Sequence, residues 1–145
     1  MRRYGKYLIY AALVALVLFV GIQFLPWGPD RNNPEVTSTP QWTDPAAQEL
    51  VESACYDCHS NETNWPWYSR IAPTSWLLGR DVTEGRTHLN FSEFDRFKDG
   101  MKEETIESVQ EGEMPPFTYK TMHISAWLDD QEKQIMVDEF ERIFE

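Results

Sequence analysis

Residues 54–61 read Ala-Cys-Tyr-Asp-Cys-His-Ser-Asn and hold both cysteines of the 145-residue chain. Cys55 and Cys58 stand three positions apart, so one helical turn presents both sulfurs on the same side. His59 follows directly. Cys-x-x-Cys-His is the attachment signature of a c-type haem. Each thiol adds to one vinyl group of the porphyrin, and the adjoining imidazole donates a ring nitrogen to the iron as axial ligand. Two other uses of the thiols compete. A redox-active disulfide usually sits within a βαβ pattern, which this chain lacks. Zinc would need two more ligands, and the remaining histidines, His88 and His123, lie in no second paired motif.

An iron held by His59 has a second axial face. Glu113-Met114-Pro115-Pro116 places a methionine on a segment that two prolines hold extended. Its thioether is the candidate sixth ligand, and Met–His ligation raises the reduction potential, as in electron-carrying cytochromes c. His123 is the main rival, and Met101 and Met122 are further candidates. Trp65-Pro66-Trp67-Tyr68 follows the motif without helical or strand period, and so much ring surface suits a large flat group such as a porphyrin. Trp65, Trp67, Tyr68, Pro73 and Trp76 are therefore candidate haem contacts. The Pro73 carbonyl is a candidate acceptor for the second ring nitrogen of His59. Arg70, Arg80 and above all Arg86 are candidate partners for the propionates, because guanidinium pairs well with carboxylate.

The elements that must position these groups read as helices. Asp44 caps and Pro45 opens a helix in which Ala47, Leu50, Val51 and Ala54 form one apolar face leading into Cys55. A short helix is expected at 74–78, and residues 79–90 read as a polar loop. Ser92 is a candidate cap for a short helix carrying Phe94 and Phe97 and ending at Gly100. A helix near 103–111 turns Ile106 and Val109 inward and stops at Gly112. The last helix begins at an aspartate cap near residue 129, with Ile135, Met136, Phe140, Ile143 and Phe144 on its apolar face. The fold class expected is all-α.

Residues 1–6 are basic and without acids, and an apolar run follows over 7–25. At about 1.5 Å per residue the run is long enough for a bilayer core of about 30 Å. It exceeds a usual signal-peptide apolar region and offers no small-x-small cleavage site. Residues 7–26 therefore read as an uncleaved single-pass anchor, cytoplasmic at its N-terminus, with Trp27 at the outer interface. Residues 27–43, rich in proline and small polar groups, read as a tether. Residues 44–145 read as the exported domain, on the periplasmic side of the inner membrane. All 24 acids follow Trp27, but only 10 of the 13 basic residues do, so the exported net charge is 10 − 24 = −14. That balance excludes nucleic acid as a partner and disfavours anionic lipid surfaces, while it permits steering toward a basic partner.

From Cys55 onward the chain resembles the bacterial haem-binding domain family, a branch of the cytochrome c-like fold. The matching residues are Cys55-Tyr56-Asp57-Cys58-His59-Ser60-Asn61, Trp65-Pro66-Trp67-Tyr68, Ala72-Pro73, Gly85-Arg86, Leu89-Asn90-Phe91-Ser92, Gly112-x-Met114-Pro115, Tyr119 and His123. Where the family tends to have a histidine before Val82, this chain has Asp81. The resemblance implies one covalent haem c on Cys55 and Cys58, with His59 proximal and Met114 distal. The function expected is electron transfer with membrane redox partners, not enzymatic catalysis. A haem-based sensor or small-ligand binder is the alternative. A peroxidase would need a distal acid–base pair, and none is evident.

Overall fold

The computed structural model describes residues 2–25, 30–97 and 100–145. The expected interfacial place of Trp27, the ends of anchor and tether at residues 26–29, and residues 98–99 before Gly100 lie outside the described residues. Among the described residues there are seven α-helices and no strand, only an isolated bridge between Ser38 and Glu93. The chain forms two compact units, one of Met1–Arg31 with Trp65–Asp81, the other of Asn32–Asn64 with Val82–Glu145.

The first unit is built on α1, Arg2–Ile22. Tyr4–Ile22 has a mean hydropathy of 2.1 and none of its residues is buried in the protein, so this helix is apolar and long enough to cross a membrane. The helix stops three residues before the apolar run does. Gln23 explains the stop: its side-chain amide donates to Phe19 O at 2.9 Å, which caps the last turn. The same amide is paired with the Ala72 backbone, donating to its carbonyl at 3.1 Å and accepting from its N–H at 3.0 Å. In this unit Trp67–Arg70 forms a single 3-10 turn, and the Arg31 guanidinium donates to Ser69 O at 3.0 Å.

Residues 79–88, expected as part of a loop over 79–90, continue the short helix. Thr74–His88 is one 15-residue helix, α4. Its inward positions are Ser75, Gly79, Val82, Gly85 and, just beyond its end, Leu89. They recur at helical spacing, but three of them are serine or glycine, so hydrophobic periodicity does not reveal the stripe.

In the second unit α2 (Pro45–Ala54) leads into the four-residue α3 (Tyr56–His59). Asp44 caps α2 by accepting from Ala46 N, with proline in the first turn, as the sequence predicts. Helix α5 (Met101–Gln110), the one-turn α6 (Phe117–Lys120) and α7 (Asp130–Ile143) follow. Helices α2 and α5 both pack on α7. Asp129 and Glu132 close a capping box at the start of α7. The core is Val51, Leu89, Phe91, Val109, Met136, Val137 and Phe140. Phe91 sits among Tyr56, Trp42 and Phe140, at ring distances of 5.5, 5.8 and 6.2 Å. Residues 94–96 make only a 3-10 turn, not the expected helix, and Ser92 is buried instead of capping.

Residues 32–43 do not hang free as a tether. Thr37 and Ser38 N–H groups donate to Ser92 O, Asn33 Nδ2 donates to Thr63 O, and Trp42 joins the core. Thr43 and Asp44 donate to Glu139, whose carboxylate is fully buried on α7 and also takes Arg142 Nη1 at 2.6 Å.

Candidate functional site

Cys55 closes α2 and opens α3. Cys58 N–H and His59 N–H both donate to Cys55 O, at 3.1 and 2.9 Å, so the motif is wound as a helical turn. On a turn advancing about 100° per residue, Cys55, Cys58 and His59 share one side and Asp57 points to the other. Neither thiol is in a disulfide. Burial, helped by the neighbouring Cys58, pushes the Cys55 thiol up to about 12. The Cys55 thiol is therefore protonated at neutral pH, and thioether formation uses thiols as neutral sulfur.

His59 Nδ1 lies 3.1 Å from Leu89 O. With Nδ1–H donating to this carbonyl, the ring is oriented and Nε2 carries the free lone pair. The acceptor is Leu89 and not Pro73, because α4 delivers its last turn onto α3. Burial, opposed by bonds to the Leu89 and Gly85 backbone, holds the imidazole below its ordinary pKa, in the neutral form that binds iron. The approach is close. A Cβ on Gly85 would lie 2.5 Å from Cys58 O, so only glycine lets α4 cross the Cys55–His59 turn here.

The loop after His59 is fastened by buried polar groups. Asn61 N–H donates to Ser92 Oγ at 2.9 Å, its side chain donates to Glu35 O at 2.9 Å, and its carbonyl oxygen accepts from Asn90 Nδ2 at 2.9 Å. Phe91 N–H donates to His59 O at 2.7 Å. Arg86 donates to Ser60 O at 2.7 Å, Thr63 Oγ1 at 2.9 Å and Asn33 Oδ1 at 3.1 Å. The expected propionate partner thus clamps this loop.

On the Asp57 side, Tyr119 OH donates to Asp57 Oδ2 at 2.7 Å, and the Tyr119 and His123 rings stack at 4.0 Å. His123 Nδ1 is 3.2 Å from Tyr119 O, and its Nε2 faces Asp57 Oδ2 at 4.0 Å. Burial and the Asp57 contact push the Tyr119 phenol far above its ordinary value. These groups line a pocket of about 370 Å³ with Tyr56, Glu62 and Asn64.

Cys55, Cys58, His59, Arg86, Met114 and His123 all belong to the second unit, whereas Trp65, Trp67, Tyr68, Pro73 and Trp76 belong to the unit of α1. Met114 is 40% exposed, and the peptide bond to Pro115 is cis. Sequence reasoning missed Leu89, Gly85 and Asn61 as positioning residues, although all three fall within the segments that carry the family resemblance.

The haem-binding domain family matches residues 17–142, and the chain belongs to that family. The match begins inside α1 and ends in the last helix. No curated protein and no solved structure matches the chain. The donor set fits the cofactor the family implies: two free thiols one turn apart, and an imidazole with Nδ1 engaged and Nε2 open. Among the described residues, no group of three or more His, Cys, Asp or Glu side chains is placed to hold a bare metal ion.

Proposed function

We propose that this chain is a membrane-anchored monohaem c-type cytochrome that carries electrons on the outer, periplasmic side of the cytoplasmic membrane. The reading is carried by one observation: His59 Nδ1 is held by Leu89 O on the same helical turn that presents Cys55 and Cys58. When bound, haem c would supply a one-electron ferrous–ferric couple. Cys55 and Cys58 would hold the ring edge, and His59 Nε2 would ligate the iron. Leu89 and Gly85 fix where His59 stands, so little has to move when charge changes. Met114 is the sixth ligand in this reading. Support comes from His123, which is packed on Tyr119 and Asp57, off the far side of the attachment turn. In this reading the chain is an electron carrier and not an enzyme, and its partners are redox proteins reached along the membrane.

The exposure of Met114 favours a second reading, a haem-based sensor or ligand binder with a weakly held sixth site. Optical spectroscopy of the holoprotein, made in a host with cytochrome c maturation, separates the two. A six-coordinate low-spin ferric spectrum with a sulfur-to-iron charge-transfer band is expected for the carrier. High-spin iron that takes up carbon monoxide readily would overturn it. Cys55→Ala with Cys58→Ala should abolish pigment that survives denaturation, and retention of such pigment would refute covalent attachment.

A further inference from the structure

We propose that the Trp65–Asp81 segment seats on the lipid surface, with Trp67 and Leu77 in the headgroup region beside the outer end of α1. This inference rests on the reading of α1 as a membrane-crossing helix. The first observation is the paired bond between the Gln23 amide and the Ala72 backbone, at 3.1 and 3.0 Å. Gln23 is the residue immediately after α1. A bilayer spanned by α1 ends there, so the segment is fastened at the depth where hydrocarbon gives way to headgroups. A second tie, from Arg31 to Ser69 O, holds the same segment to the chain that leaves the helix.

The second observation is what the segment shows to its surroundings. Trp67 is 76% exposed and Leu77 59% exposed. Phe24, beside Gln23, is 81% exposed as well. Tryptophan, apolar in body and with one N–H donor, settles at membrane interfaces. The third observation is charge. The chain carries 24 acids, yet residues 63–80 contain none, while they hold Arg70, Arg80 and three of the six tryptophans. An anionic lipid surface repels the acidic remainder of the domain but attracts this stretch. Continuity with α1 makes the occupant a bilayer and not a protein.

The test is photo-crosslinking of the full-length holoprotein in phosphatidylcholine–phosphatidylglycerol vesicles that contain a diazirine-tailed phosphatidylcholine, with adducts mapped by mass spectrometry. Adducts are expected on α1 and on the Trp65–Asp81 segment, and none above background at Ile124 or Trp127, which are also exposed, at 89% and 56%. Leu77→Ser should weaken the segment's adducts, keep those on α1, and keep the visible spectrum. Adducts on α1 alone would overturn the seating and leave the anchor intact. Adducts on neither would overturn the anchor as well. Equal labelling at Ile124 and Trp127 would mean unspecific adsorption and would also overturn the seating.

Discussion

At the scale of single residues, Glu139 shows how a buried charge is kept. Burial alone would raise its pKa, but the Thr43 N–H and hydroxyl, the Asp44 N–H and Arg142 outweigh it and hold the carboxyl below its ordinary range. A carboxylate with a depressed folded-state pKa contributes stability above its unfolded value, and that contribution is lost as pH falls through the folded value. Glu139→Gln should therefore cost about 1–3 kcal/mol at neutral pH, since a charged acceptor of several bonds is removed. The gap to the parent should narrow on acidification below the carboxylate range, as read by urea denaturation across pH. Met114 is the other residue whose role is exposed by substitution. Met114→Ala should lower the reduction potential and admit external ligands to the iron; an unchanged visible spectrum would take Met114 out of the site.

At the scale of elements, the fold turns on where α4 crosses α3. Gly85→Ala places a methyl group against the Cys58 carbonyl. Overpacking of this kind costs typically about 1–3 kcal/mol, and here it also displaces the turn that carries both thiols and His59. Lower denaturation midpoints and a smaller yield of holoprotein are both expected, and normal yield with normal stability would mean that the helices part without cost. Arg86→Gln separates clamp from propionate partner. As a clamp on Ser60 and Thr63, its loss should lower stability and leave the reduction potential unchanged; a shifted potential would make Arg86 a partner of the propionates as well.

At the scale of the whole chain, charge is divided by sequence position. Residues 28–145 carry a net −14, from 10 basic and 24 acidic residues. Such a field raises encounter rates with basic partners, and salt screens it within a Debye length of about 8 Å at physiological ionic strength. Electron exchange with a basic redox protein, followed by stopped flow, should slow steeply as salt rises from low to physiological concentration. Exchange with an acidic partner should speed up under the same change.

The amino-acid sequence by itself determined what depends on near neighbours along the chain. The helical turn of the Cys-x-x-Cys-His motif, the Asp44 and Asp129 caps, the apolar run of α1 and the stripe of α2 all act over one or two turns, and each was readable in residue order. The family resemblance was legible too, because its motifs are contiguous. What only the tertiary structure decided are contacts between residues far apart in sequence. His59 finds Leu89 and not Pro73, Gln23 finds Ala72, and residues 32–43 fasten to the domain. Helix α4 was hidden for a related reason: its buried stripe uses serine and glycine, chosen for close approach to a neighbour that residue order does not name. Helical spacing is written in a sequence only when the buried residues are large and apolar, and backbone carbonyls leave no mark there at all.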